Sequence, residues 1–280
     1  VFFPYAYCYR CPHGREYPSC DIFCVDFIEK NILSGKETPL GDQKSKISNV
    51  AALIIEPMQC SGGYIIPPDE FLQGLKKLSD KYNFLLIVDE IQAGLGRTGK
   101  LWGVEHSGVE PDILVIGKGI SGGLPFGAIV ARKEILSNWA PCAHVSTFAG
   151  YALGSANALK VLEIIEKEKL IERSNKIGTY FYNKLLELKE DYSIIGDVTG
   201  GKGLFLAVEL VKDRKTKEPA ISETEFIREK CYDEGLLFQT GGYLYNRLLF
   251  IPALTITKDS IDRAISILKD VLEITIKRFL

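Results

Sequence analysis

Three short apolar runs, each bounded by polar or glycine residues, most constrain what this chain can fold into. They cover residues 84–88 (FLLIV), 113–116 (ILVI) and 126–131 (FGAIVA). Runs of this length, rich in isoleucine and valine, suit strands that are buried on both faces of a parallel sheet. A further strand at 51–55, a helix at 69–82 and the strand at 84–88 form a βαβ unit. The sequence therefore predicts an α/β fold with a mostly parallel central sheet flanked by helices.

Two chemically active side chains follow these runs directly. The first run ends at Asp89, and the second is followed by Gly117 and Lys118. Ligands of open α/β sheets bind just beyond the carboxyl ends of the strands. We therefore expect a carboxylate and a lysine amine to face one crevice.

Two motif-based alternatives fit this stretch less well. Residues 94–100 (GLGRTGK) match the phosphate-binding pattern G-x-x-x-x-G-K, but Leu101 stands where the motif needs a hydroxyl for the metal. Residues 119–123 match the serine-hydrolase pattern G-x-S-x-G. The only histidine after Ser121 is His144, and no aspartate lies between the two. Neither alternative gives Lys118 a role.

A third interpretation uses both residues. A lysine amine can form a Schiff base with a carbonyl cofactor, and pyridoxal phosphate then acts as an electron sink when a carboxylate such as Asp89 keeps its ring nitrogen protonated. The supporting motifs are EPMQCSGG (56–63), VDEIQAGLGRTGK (88–100), PDI (111–113), GKGISGGLPFGA (117–128) and STFAG (146–150). With Asp89 and Lys118 placed 29 positions apart, nearly the whole chain resembles the class III (ω-amino acid) aminotransferases of the fold type I pyridoxal-phosphate enzymes.

The resemblance implies a role for each matching residue. Lys118 would carry the Schiff base and, once freed by substrate, move the proton at the substrate Cα. Asp89 would pair with the pyridine nitrogen of pyridoxal 5'-phosphate. Ile91 would pack on one face of the ring, Gln92 would hydrogen-bond the ring hydroxyl, and Glu56 would belong to the cofactor-binding set.

The substrate residues depart from the family pattern. Where many members have a glutamate after E-P-x-Q, this chain has Ser61, and where they have a carboxylate-binding arginine it has Leu249. Arg247 lies two residues earlier, on the same face of a predicted strand, and could substitute in part. The expected reaction moves an amino group from an amino acid or a 4-aminobutyrate-like ω-amine to a 2-oxo acid. The alternative is a racemase or epimerase of aliphatic amino acids, which needs a second acid that the sequence does not identify.

Partners and location follow from the resemblance and the composition. Thr147 of STFAG would bind the cofactor phosphate of the neighbouring subunit, which implies a homodimer with shared active sites. The formal net charge is −2, so nothing indicates binding to nucleic acid or to an acidic membrane surface. No apolar run approaches the roughly 18–20 residues of a membrane span. A cytoplasmic, reducing location is the default expectation.

Four cysteines near the beginning of the chain form a separate candidate site. Cys8, Cys11, Cys20 and Cys24 have the spacing C-x2-C-x8-C-x3-C. Two closely spaced cysteine pairs suit a tetrahedral zinc site. Buried thiols and disulfides are the simpler interpretations, and we expect no metal. A thiol-rich binding module remains the non-enzymatic alternative for the chain.

Further expectations concern domains and local structure. Residues 1–190 are predicted to form a large cofactor-binding domain and residues 191–280 a small α+β domain. The large domain is expected to be incomplete, because family members carry a phosphate-binding turn and a ring-stacking aromatic before the point that matches Val1, and neither is recognisable in this chain. We expect Asp21 and Ser222 to cap helices, residues 204–211 to form a half-exposed strand, and residues 35–49 to form a surface loop.

Overall fold

A computed structural model describes residues 1–33 and 50–279 of the chain, and these divide into two compact units. The first unit comprises Val1–Pro57, Pro67–Gln92 and Val104–Leu162. The second comprises Met58–Ile66, Ala93–Gly103 and Glu163–Leu280. Each unit is therefore assembled from three separate stretches of the chain.

The first unit is an α/β structure. Its elements are α1 (Phe23–Ile28), β1 (Ala52–Ile55), α2 (Asp69–Tyr82), β2 (Leu85–Asp89), β3 (Ile113–Ile116), β4 (Ala128–Ala131), α3 (Lys133–Leu136) and the start of α4 (Ala152–Lys167). Short 3-10 turns lie at Cys8–Arg10, Gly103–Ser107 and Lys118–Ser121. In the described residues the sheet has the order β1-β2-β3-β4. The predicted βαβ unit and α/β class are confirmed.

The sheet is mostly parallel, as predicted, but the third apolar run is its one antiparallel strand in the described residues. Strands β1, β2 and β3 are parallel, whereas β4 runs antiparallel to β3. Only the eleven residues 117–127 connect β3 to β4, and a parallel return needs a crossover of a dozen or more residues, usually with a helix. Ile129 and Val130 on β4 are about half exposed rather than buried on both faces. Lys118 lies in this connection, just beyond the carboxyl end of β3.

The strands of the first unit are held by packing and by one buried carboxylate. Helix α2 turns Phe71 and Leu75 inward, and both are fully buried, as is Leu86 of β2. Asp112, just before β3, accepts hydrogen bonds from the backbone N–H of Leu86 at 2.8 Å and from Arg132 Nη2 at 2.8 Å. These contacts fix the register of β2 and β3, and therefore where both strands end.

The second unit is built on an antiparallel sheet. Its elements are the end of α4, then α5 (Leu170–Asp191), β5 (Ile195–Thr199), β6 (Leu206–Asp213), β7 (Glu218–Pro219), α6 (Ile221–Asp233), β8 (Gln239–Gly241), β9 (Arg247–Phe250) and α7 (Lys258–Phe279). The main strand order in the described residues is β5-β6-β9-β8, and β7 pairs with β6. Strand β6 was predicted to be half exposed, but Leu206–Val211 are all buried. One face is covered by helices, and the other by the excursion Met58–Ile66, whose Tyr64 stacks on Phe205 with ring centroids 4.4 Å apart.

The structural units differ from the predicted domains. Helix α5 falls on the large-domain side of the predicted boundary at 190/191, yet it belongs to the second unit. The reason is that Ile177, Phe181, Leu185 and Leu188 lie in the hydrophobic core of that unit. Sequence order could not show this grouping.

Two predicted helix caps are absent. Asp21 and Ile22 adopt left-handed backbone conformations before α1, and no side-chain cap bond forms. Helix α6 begins at Ile221 after Ala220, so Ser222 lies inside its first turn instead of capping it. The expected loop at 35–49 lies outside the described residues. No helix within the described ranges is both long and apolar enough to cross a membrane.

Candidate active site

Asp89 is the last residue of β2 and lies at the carboxyl edge of the parallel strands. It is in register with Val115 of β3 and is half-buried. Its Oδ1 accepts a hydrogen bond from the backbone N–H of Ile91 at 2.9 Å. This bond fixes both the carboxylate and the beginning of the next turn.

Lys118 begins the turn that follows β3, and it is exposed. Its backbone is left-handed, with φ 47°, a conformation that non-glycine residues rarely adopt. The Lys118 Nζ donates a hydrogen bond to Gln92 Oε1. Because Gln92 lies three residues after Asp89, the structure brings together the loops that follow β2 and β3.

Ile91, on the loop that follows β2, packs against the loop that follows β3. A Cβ atom added to Gly117 would approach Ile91 Cγ1 to 3.3 Å and Cγ2 to 3.4 Å. The absence of a side chain at Gly117 therefore lets Ile91 pack directly on the backbone beside Lys118. The carboxylate, the apolar side chain, the amide and the amine are thus grouped at one edge of the sheet.

Glu90 is a supporting residue that the sequence analysis missed. It is 1% exposed, and its Oε1 accepts a hydrogen bond from the backbone N–H of Val104 at 2.7 Å. This bond fixes the point where the chain re-enters the first unit after residue 103. A second acid directly after Asp89 was the available signal, because alternate strand residues point to opposite faces.

Glu56 and Thr147 lie elsewhere in the first unit. Glu56 follows β1 and is half-buried, and its carbonyl oxygen accepts a hydrogen bond from Tyr5 Oη at 3.1 Å. Thr147 lies in the exposed segment 141–150, between α3 and α4. The structure therefore groups Asp89, Ile91, Gln92 and Lys118, whereas Thr147 faces solvent.

The two candidate substrate residues belong to the second unit. Ser61 is exposed on the excursion that covers β6. Arg247 is 1% exposed. Its Nη1 donates to Glu209 Oε2 at 2.8 Å and its Nη2 donates to Thr199 Oγ1 at 2.5 Å. Arg247 and Leu249 share a sheet face as predicted, but here the guanidinium binds groups of its own unit.

The Arg247–Glu209 pair leads to a stability prediction. Burial raises the pKa of the Glu209 carboxyl, and the charge of Arg247 opposes that rise only in part. Arg247→Met leaves this carboxylate buried without its cation, so we expect the free energy of unfolding to fall by about 3–5 kcal/mol. Chemical denaturation of the variant measures this loss.

The control is the double variant Arg247→Met/Glu209→Gln, which removes both charges and should recover most of the stability. A raised folded-state pKa means that Glu209 contributes most stability below its usual pKa and loses that contribution as pH rises. The free energy of unfolding of the single variant should therefore be closest to that of the wild type in acid. An equal loss in both variants would contradict the pairing.

The four cysteines near the N-terminus are free thiols, as are the other three of the chain. Burial, together with the neighbouring thiols Cys24, Cys20 and Cys11, raises the pKa of Cys8 to about 11. Burial and neighbouring thiols also raise the pKa of Cys24. Within residues 1–33 and 50–279, no group of three or more His, Cys, Asp or Glu side chains is arranged to hold a metal ion.

The two alternative motifs lack the required local structure. Ser121 is fully buried, and its Oγ donates to the carbonyl oxygen of Leu124 at 2.7 Å, so it is not an exposed nucleophile. Residues 94–100 form turns followed by the 3-10 turn Gly103–Ser107. A phosphate-binding loop opens directly into a helix, and none follows here.

This architecture occurs in solved aminotransferases. An aminotransferase from Bacillus anthracis superposes with a TM-score of 0.86 and 32% sequence identity, over 97% of this chain and 60% of that one. The fold and the grouped edge residues therefore define a fold type I protein of the pyridoxal-phosphate-dependent class.

The sequence comparisons give the family. Residues 30–272 match the model of the family described as "Aminotransferase class-III", and the chain belongs to that family. A leucine/methionine racemase of Thermococcus litoralis is 40% identical over 265 residues, which are 94% of this chain and 57% of that protein. A probable 4-aminobutyrate aminotransferase of Bacillus subtilis is 34% identical, over 95% of this chain and 59% of that protein. The chain spans somewhat more than half the length of these relatives.

The family uses pyridoxal phosphate, and the grouped residues fit that cofactor. Lys118 would supply an amine for its carbonyl carbon, and Asp89 would supply an anion for its ring nitrogen. Gln92 already interacts with the Lys118 amine, and the packing of Ile91 against Gly117 offers an apolar surface for a ring. The donor set therefore matches both the reactive and the aromatic parts of the cofactor.

Proposed function

We propose that the protein is an aminotransferase that transfers an amino group from an amino acid or a 4-aminobutyrate-like ω-amine to a 2-oxo acid. The observation that carries the proposal is the contact between Lys118 Nζ and Gln92 Oε1, three residues after Asp89. It places an amine, an amide and a carboxylate at adjoining strand ends. Family membership supports the same reaction.

The residues divide the chemistry between them. When bound, pyridoxal phosphate supplies an electron sink for the electron pair left at the substrate Cα. Lys118 would hold the cofactor through its Nζ at the carbonyl carbon, and the same amine would move the proton at the substrate Cα. Asp89 would hold a proton at the ring nitrogen, Gln92 would bind the ring hydroxyl, and Ile91 would offer an apolar surface to the ring.

Covalent trapping at Lys118 tests the proposal. The full-length protein is loaded with pyridoxal phosphate and reduced with borohydride, which makes the bond between amine and cofactor permanent. Peptide mapping is expected to find the cofactor on Lys118 and not on the nearby exposed Lys133. Its appearance on another lysine, or on none, would overturn the assignment.

A racemase is the second candidate, because the leucine/methionine racemase is 40% identical to this chain. Removal of the Cα proton by Lys118 begins either reaction, and the two differ in where the proton returns. Chiral chromatography of L-leucine or L-methionine, incubated without a 2-oxo acid, separates them. Formation of the D-enantiomer supports racemisation, whereas a strict requirement for a 2-oxo acid supports transamination.

We further propose that Thr147 acts across a homodimer interface, binding the phosphate of the partner's cofactor. Val145 and Phe148 beside it are 78% and 76% exposed, an apolar surface that a second copy could cover. The seven free thiols favour a reducing compartment, and we assign the protein to the cytoplasm on that basis.

A further inference from the structure

The turn that carries Lys118 adopts an unfavourable backbone conformation. Lys118 has φ 47°, and Gly122 at the end of the turn has φ 57°. Within the turn, the Gly122 N–H donates to the Gly119 carbonyl oxygen at 3.2 Å and the Ile120 N–H to the Gly117 carbonyl oxygen at 3.3 Å. Both bonds are longer than the usual 2.9–3.0 Å, and a left-handed lysine persists only when its surroundings enforce it.

Helix α4 supplies an outside contact to this turn. The Asn157 Nδ2 donates a hydrogen bond to the Ser121 carbonyl oxygen. A Cβ atom added to Gly122 would lie 3.3 Å from Asn157 Nδ2 and 3.5 Å from Val161 Cγ2. Because residues 157 and 161 are one helical turn apart, they present one face of α4 to the lysine turn.

A second contact shows that α4 also packs beyond the turn. A Cβ atom added to Gly154 would lie 2.8 Å from Phe126 Cδ2, and Phe126 precedes β4. Positions 154, 157 and 161 follow helical spacing, so a single stripe of α4 contacts both the turn and the segment leading into β4. The same helix begins directly after residues 146–150, which include Thr147.

We infer that Asn157 is a positioning residue that holds the Lys118 turn in the conformation that keeps Nζ at Gln92. Its amide group suits this role, since it donates to a carbonyl oxygen of a fully buried residue. The other bond to that oxygen, from the Leu124 N–H, is 3.2 Å long. The structural part of the inference stands alone, and its effect on catalysis rests on the proposed function.

The first test uses the cofactor-free, full-length protein, so it does not depend on activity. Asn157→Ala should accelerate amide hydrogen exchange at Gly122 and Leu124, since their bonds lie within the turn. It should also raise the acylation rate of Lys118 relative to Lys133 by about two- to tenfold. This factor corresponds to the net free energy of one hydrogen bond. Unchanged exchange and unchanged acylation would overturn the inference.

The control and rescue variants separate positioning from general loss of structure. Asn138→Ala removes a similar asparagine amide, which donates to the Glu134 carbonyl oxygen at 2.8 Å on the exposed helix α3; it should leave both readouts unchanged. Asn157→Gln keeps a donor and should recover part of the effect. Asn157→Asp retains the shape of the side chain, but its carboxylate can only accept hydrogen bonds. It replaces the alanine variant in both measurements if that variant fails to fold.

Kinetics of the cofactor-loaded protein then test the consequence. Asn157→Ala should lower kcat about 10- to 100-fold, the loss expected from a small misplacement of a reacting group, with little change in KM. A loosened turn with normal kcat would overturn the positioning role. If wild type shows no cofactor on Lys118 after borohydride reduction, the proposed function fails, while the exchange and acylation results still decide the structural part.

Discussion

Lys118→Ala is expected to lower kcat by about 10⁴-fold, the upper range for loss of a general acid–base group. Under the proposed function, the change removes both the amine that would bond to the cofactor and the group that would move the substrate proton. The fold should survive because Lys118 is exposed on a turn after β3 and takes no part in the hydrophobic core. Single-turnover kinetics with a bound amino donor measure the loss.

Lys133→Ala is the matched control, since Lys133 is an exposed lysine of the same unit at the beginning of α3. It should keep wild-type rates. Added methylamine should restore part of the activity of the Lys118 variant, because a free amine can perform the proton transfer. Wild-type-like rates in Lys118→Ala would show that another group moves the proton.

Asp89→Asn should lower kcat by about 10²- to 10³-fold, the usual loss when one preorganised electrostatic partner is removed. Under the proposed function, the substitution deletes the charge that would hold the proton at the ring nitrogen. It keeps an oxygen that can accept the N–H of Ile91, a bond of 2.9 Å in the wild type. The turn leading to Gln92 should therefore keep its shape. Cofactor affinity should change by less than about tenfold, which is a smaller free energy than that of one hydrogen bond to a charged group.

Asp80→Asn provides the comparison, because Asp80 is an exposed carboxylate near the end of α2 that pairs with Lys76 on the helix surface. Its neutralisation should leave kcat unchanged. Steady-state kinetics and cofactor titration of both variants separate turnover from binding. A loss below tenfold in Asp89→Asn would mean that a different group partners the ring nitrogen.

The sequence predicted the parallel strand ends well. The runs ending near Asp89 and Gly117 became β2 and β3, because short continuous apolar runs rich in isoleucine and valine suit strands buried in a parallel sheet. The third run, FGAIVA, is also apolar, and its short connection to β3 favours an antiparallel return. Composition could therefore predict the strands, but not the direction of β4.

Side-chain roles that depend on distant partners could not be predicted in the same way. Arg247 binds Glu209, which lies 38 positions earlier, and no local pattern indicates that pair. Asn157 contacts a turn 36 positions earlier, and its only sequence signal is a polar side chain on the inward stripe of α4. The expected cap at Ser222 was wrong because the N-cap of α6 is Ala220, two residues earlier. Local sequence patterns predicted candidate residues for each role, and contacts with distant parts of the chain determined which of these roles the residues have in the structure.

The excursion Met58–Ile66 has a consequence for how the protein is made. Tyr64 finds its stacking partner Phe205 only 141 residues later in the chain. Translation proceeds at about 5–20 residues per second, so roughly 7–30 s pass between the synthesis of Tyr64 and that of Phe205. During this interval a nascent chain exposes Met58 and Tyr64, which are later almost completely buried. Chaperone protection of this segment during synthesis would shorten its exposure to aggregation.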